Sequence, residues 1–167
     1  KSLGQEDLQN TQGCIAVSNE DLKELAGMLK PVGTPITIVD KVPLTSVTEN
    51  MQQSRELAKT LEGWRLAWES ANTKKFMGFY GKEFLNSDGM NYESFRKQKE
   101  KVNASKKFIR VKTQDVAILI PPEQNGKIAV IRFIQKYHSN NFDSDSHKLF
   151  YLKHGQEGWK IIGESVF

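Results

Sequence analysis

The chain has 167 residues, 38% of them hydrophobic, which is enough for one compact domain or for one domain with part of another. Its mean hydropathy is −0.55, and no stretch approaches the ~20 consecutive apolar residues of a membrane helix, so no transmembrane segment is expected. A single cysteine excludes an internal disulfide, and the net charge of +4 is uneven: −2 over residues 1–55 and +6 over residues 56–167.

Residues 1–13 are polar and aperiodic, a loop that leads into Gly13-Cys14. Ser18, with Asp21 three residues on, predicts a helix start of the capping-box kind. Leu22, Leu25, Ala26 and Leu29 then share one face, and Pro31 and Gly33 end the helix. The β-branched run Ile36-Thr37-Ile38-Val39 reads as a strand. Residues 43–54 show no period and read as a linker. The helix and strand before them cannot bury their own apolar faces, so residues 1–42 belong to a larger unit.

After the linker, helices come first and strands second. Leu57, Leu61, Trp64, Trp68 and Ala71 lie at helical spacing. Phe76, Phe79, Tyr80 and Phe84 suggest a second, short helix, and Asn91 can cap a third that carries Tyr92, Phe95 and Val102. Strands follow at about 107–120, 127–140, 147–154 and 159–164, the first two joined by a turn containing Asn125-Gly126, a strong hairpin signal. In the second of these strands both faces are apolar, with Ile128, Val130, Arg132 and Ile134 opposite Ala129, Ile131, Phe133 and Tyr137, which predicts a sheet covered on both sides. The class is α+β, with helices on a curved, largely antiparallel sheet.

The helix segment Leu61-Glu-Gly-Trp64-Arg-Leu-Ala-Trp68, the aromatic segment after it, and the closing strand Gly158-Trp159-Lys160-Ile161 resemble an NTF2-like domain over residues 55–167. The resemblance implies a cone-shaped fold that often holds a pocket, and it implies no particular activity. Trp64, Trp68, Tyr80 and Tyr137 are candidate pocket residues, although aromatics at such spacing are more often plain core.

A second resemblance lies in Asn10-Thr11-Gln12-Gly13-Cys14-Ile15-Ala16-Val17-Ser18-Asn19, which is similar to the nucleophile motif of YkuD-type L,D-transpeptidases. It implies that residues 1–42 are the C-terminal segment of such a catalytic domain. Cys14 would be the nucleophile, Gly13 would allow close backbone approach to a substrate carbonyl, and Gln12 and Asn19 would contact substrate. The family motif usually has His where Gln12 stands and Arg where Ala16 stands. The reduced motif is similar to the hydrolytic L,D-carboxypeptidase branch found in cell-shape proteins of helical Gram-negative bacteria, which pairs a YkuD-type domain with an NTF2-like one.

This implies removal of the terminal D-Ala from a peptidoglycan stem peptide, with no cofactor and no metal. It also implies a periplasmic or cell-envelope location, with a signal peptide upstream. The family's general-base His would lie ahead of Lys1, since His138, His147 and His154 all belong to the second domain. The isolated chain is therefore expected to be inactive and its intact parent active. The alternatives are L,D-transpeptidase cross-linking, a non-catalytic NTF2-like module for binding or homodimerisation, or an enzyme of the NTF2-like domain itself that pairs Asp115 with Tyr80. Nucleic acid is not an expected partner: the basic residues are interspersed with acids and no recognised module is present.

Overall fold

A computed structural model describes residues 15–29, 34, 36, 38, 46–121 and 127–166. The chain divides into two compact units, Lys1–Ile36 and Thr37–Phe167.

In the first unit, α1 spans Asn19–Ala26. The Ser18 hydroxyl oxygen accepts from the Asp21 amide at 3.1 Å and donates to the Asp21 carboxylate at 2.7 Å, so the expected capping device forms. The helix stops at Gly27, ahead of Pro31 and Gly33, and none of its residues is buried. Of the strand expected at Ile36–Val39, Ile36 and Ile38 are described and neither is in a strand; Thr37 and Val39 lie outside the described residues.

In the second unit, α2 spans Val47–Glu69. Residues 47–54, read from the sequence as part of a linker, are its first two turns, a correction to that boundary. Their polar composition carries no apolar stripe, yet it is compatible with a solvated helical extension of the stripe that begins at Leu57. Leu57, Leu61, Trp64, Ala67 and Trp68 bury that stripe. After a left-handed Ala71 (φ 53°), α3 spans Thr73–Met77, its start fixed by the Asn72 side chain accepting from the Lys75 amide at 3.0 Å.

The chain then becomes β1 (Tyr80–Asn86), so Tyr80 and Phe84 lie in a strand where the sequence suggested a helix. The spacing of four between them fits both a helical face and every second residue of a strand, and Gly78 ends the helix first. α4 (Tyr92–Ala104) starts at Asn91 as expected, with the Asn91 side chain accepting from the Ser94 amide at 3.0 Å.

Strands β2 (Ile109–Leu119), β3 (Ile128–Ser139), β4 (Asp143–Gly155) and β5 (Gly158–Val166) form an antiparallel meander. The sheet order is β1-β5-β4-β3-β2, with β1 parallel to β5. Asn125-Gly126 lies outside the described residues. On the inner face, Ala129, Ile131 and Phe133 meet α2 in one aromatic core: the Trp64 ring lies 5.8 Å from Phe133 and 5.0 Å from Phe150, both edge-on.

On the outer face, Ile128, Val130, Arg132 and Ile134 are only half-buried, so the two-sided cover expected from the sequence is not seen among the described residues. β2 is an edge strand, and α2 shields its exposed backbone: Glu69 accepts from the Val111 amide at 2.8 Å and Arg65 donates to the Val111 carbonyl at 3.2 Å.

Candidate functional site

Strand alternation turns Lys148 inward, in line with Phe150 and Leu152 on β4. On β5 the inward residues are Trp159, Ile161 and then Glu164, because the register shifts opposite Tyr151/Leu152 and leaves one extra residue in the strand. The two side chains, each 6% exposed, form an ion pair. Glu164 also accepts from the Tyr80 hydroxyl at 3.1 Å, and that hydroxyl accepts from Trp64 Nε1 at 2.9 Å. Burial, and then the Glu164 carboxylate, hold the Tyr80 phenol well above its ordinary pKa, so it stays a neutral donor. A buried charge pair of this kind needs such extra hydrogen bonds to offset its desolvation.

Lys99 completes the cluster from α4, one turn after Phe95 on the same helix face. Its ammonium sits 4.7 Å from the Trp68 ring centroid, 4.9 Å from Phe95 and 5.8 Å from Phe76. Among the described residues it has no hydrogen bond or ion pair. Burial first, and the Lys148 cation second, bring its pKa down to about 8, against a smaller opposing pull from Glu164. With Lys148 matched by Glu164, the cluster carries one unmatched positive charge whenever Lys99 is protonated.

Trp68 Nε1, on the ring beside the two lysines, and Gln135 Oε1 and Tyr137 OH, further along β3, are buried without a hydrogen-bond partner among the described residues. Such atoms cost free energy until something fills the vacant valences. A cation, two donors and an amide oxygen among aromatic walls suit a ligand that has a carboxylate together with amide or hydroxyl groups. Among the described residues, no three of His, Cys, Asp or Glu gather as a metal site would require.

The four residues expected at a pocket meet one another as part of the buried core. Trp64 and Trp68 are 5.3 Å apart, Trp68 and Tyr137 5.1 Å, and Tyr80 bonds Trp64; all four are buried. Asp115 does not join Tyr80. It is exposed at the irregularity in β2 with φ 49°, and Glu164 takes the place of acid partner. Asn19 is exposed at the first position of α1. Gln12, Gly13 and Cys14 lie outside the described residues. Sequence reasoning missed Lys99, Lys148, Glu164 and Gln135. Strand parity could have found Lys148 and Gln135, and the i+4 relation to Phe95 could have found Lys99.

Solved structures share this architecture. Bd1075 of Bdellovibrio bacteriovorus is 28% identical with a TM-score of 0.77, over 96% of this chain and 56% of that one. Pgp2 of Campylobacter jejuni, described as a helical cell shape determining protein, is 27% identical with a TM-score of 0.69, over 91% of this chain and 53% of that one. The chain thus spans about half the length of these relatives. A putative dehydratase of the NTF2-like family from Streptomyces avermitilis shares the fold alone, at 8% identity and a TM-score of 0.60, over 70% of this chain and 95% of that one. No curated protein matches the sequence significantly. The family model described as the Cds6 C-terminal NTF2-like domain matches residues 56–165, most of the chain, and the chain belongs to that family.

Proposed function

We propose that this chain is part of a cell-envelope peptidoglycan peptidase, an L,D-carboxypeptidase that affects cell shape, and that its NTF2-like domain binds the stem peptide on which the enzyme acts. The observation that carries the binding role is Lys99: an ammonium caged by three aromatic rings, with no carboxylate against it among the described residues, beside a Lys148 already matched by Glu164. A stem peptide supplies what the cluster lacks, namely carboxylates for Lys99 and amide groups for Trp68 Nε1, Gln135 and Tyr137.

The catalytic half of the reading rests on the sequence around Gly13-Cys14 and on the likeness to a cell-shape protein. The Cys14 thiolate attacks the carbonyl of the third stem residue, and the bond to the terminal D-Ala breaks as its nitrogen takes up a proton. Water then cleaves the thioester, releasing a tripeptide stem and restoring the thiol. The base that accepts the thiol proton is expected from an upstream His, so activity belongs to the parent protein.

The experiment is a muropeptide digest with the parent and its Cys14→Ala variant. Tetrapeptide stems should become tripeptides with the parent and stay intact with the variant. Trimming by the variant would remove Cys14 from the mechanism, and cross-linked products in place of tripeptides would favour the transpeptidase alternative.

A further inference from the structure

The inward-facing polar residues extend beyond the ion pair and Lys99. Along β3 the inward positions run from Phe133 through Gln135 and Tyr137 to Ser139, and all four are buried. Gln135 Oε1 and Tyr137 OH have no hydrogen-bond partner among the described residues. At the far end of this lane stands Lys106, just past the C-terminus of α4 and seven residues beyond Lys99. Two helical turns, about 10 Å, separate the roots of the two lysines.

The two lysines flank one pair of rings. The Lys99 ammonium lies 4.7 Å from the Trp68 centroid, Trp68 lies 5.1 Å from Tyr137, and Lys106 Nζ lies 5.7 Å from the Tyr137 centroid. Lys106 donates to Ser139 Oγ at 3.1 Å and to Asn141 Oδ1. Both acceptors are neutral, so they aim its charge at the end of β3 without matching it. Among the described residues no carboxylate pairs with either lysine, and the acids around them have other partners. Asp143, which shares Ser139 with Lys106, is exposed and held by His138 Nδ1 at 2.6 Å. Asp145 is taken by Lys136 at 3.2 Å, and Glu100 on α4 by Arg96. A cation at each end of a lane, with an amide oxygen and a hydroxyl between, is complementary to an extended peptide bearing two carboxylates, since three extended residues span about 10 Å.

We propose that Lys106 is the second anchor of the ligand site: Lys99 takes the terminal carboxylate of a stem peptide, Lys106 takes an internal carboxylate of the same peptide, and the amides between them lie against Gln135 and Tyr137. The inference rests on the reading of the interior cluster as a peptide site, and deepens it by naming the ligand class as a dicarboxylate peptide. A ligand with both charges engages both ammonium groups at once, and the second contact forms at the high effective concentration set by the first. A peptide with a terminal carboxylate alone leaves Lys106 to Asn141 and Ser139, so Lys106 is a specificity-determining residue of this site.

The test is a calorimetric cycle at pH 7. The unaltered chain and its Lys106→Gln variant are each titrated with the free tetrapeptide stem, and with the same stem whose internal carboxylates are amidated and whose terminal carboxylate is free. Amidation should weaken binding to the unaltered chain about tenfold, and should change binding to Lys106→Gln less than about twofold. Lys106→Arg should restore the dependence on amidation. A loosened β3–β4 turn would lower the affinity for both stems alike, so it cannot imitate this pattern. Equal affinity of the unaltered chain for the two stems, or the same tenfold loss in Lys106→Gln, would overturn the proposal. In either case binding of the free stem that is lost in Lys99→Met would leave the interior site standing, whereas no binding of either stem to the unaltered chain would remove that site and this anchor together.

Discussion

Two helices of this chain carry apolar stripes, with opposite outcomes. In α2 the stripe from Leu57 to Trp68 is buried against a sheet. In α1, Leu22 is 50% exposed and Leu25 38% exposed, with Met28 just beyond it at 69%, although the cap at Ser18 is complete. The periodicity of a sequence therefore says which face of a helix is apolar, and only the opposing surface decides whether burial follows. The capping signal is local and was legible at α1, whereas α2 starts at Ser46 without a side-chain cap hydrogen bond and its first turns read as a linker; burial depends on distant strands.

That contrast can be broken by mutation. Trp64→Ala removes a fully buried ring that touches Trp68, Phe76, Phe133 and Phe150, and should lower unfolding free energy by about 3–5 kcal/mol. Leu22→Ala, at an equally regular position of α1, should stay within about 0.5 kcal/mol in the same chain. Denaturant unfolding of the two variants checks both, and a comparable loss from Leu22→Ala would mean that α1 is covered after all.

The interior pair sharpens the comparison within the second unit. Lys148→Met alone leaves the Glu164 carboxylate buried and unmatched, and should cost about 3 kcal/mol or more, whereas Lys148→Met with Glu164→Leu should recover much of that loss. A double variant no more stable than the single one would show that the hydrogen bond from Tyr80, rather than the charge pairing, governs this site.

Lys99 gives a smaller, pH-dependent effect. Its folded pKa of about 8 lies below the ordinary lysine value of 10.5, so between those values the unfolded chain holds more protons and stability rises with pH. Below pH 8 the charged group costs stability, so Lys99→Met should raise unfolding free energy at pH 7 by on the order of 1 kcal/mol. That gain should shrink as pH climbs from 8 towards 10.5. A gain independent of pH would point to packing instead of charge.

Much of the fold could be read from the sequence because its signals are local: Ser18 and Asn91 cap where expected, and the meander strands begin and end within a few residues of their expected limits. Tyr80 and Phe84 went astray because a spacing of four serves both periods. Glu164 was hidden for a different reason. The extra residue in β5 changes inward spacing from two to three, and parity carried on from Trp159 and Ile161 would have pointed Gly163 inward in its place. The aromatic half of the interior site was visible as a stripe, but its charged half depends on a bulge and on helix docking, which are long-range features. The Gly13-Cys14 segment was legible only through resemblance and lies outside the described residues.

The most direct measurement is a calorimetric titration of the 167-residue chain with a free tetrapeptide stem across pH 6.5 to 9.5, alongside Lys99→Met. The expected result is binding at neutral pH that weakens as pH rises beyond about 8, where Lys99 loses its proton, and that is largely absent in the variant. Affinity that is flat across this range, or unchanged in Lys99→Met, would contradict the assignment of the caged ammonium as the seat of the ligand's carboxylate.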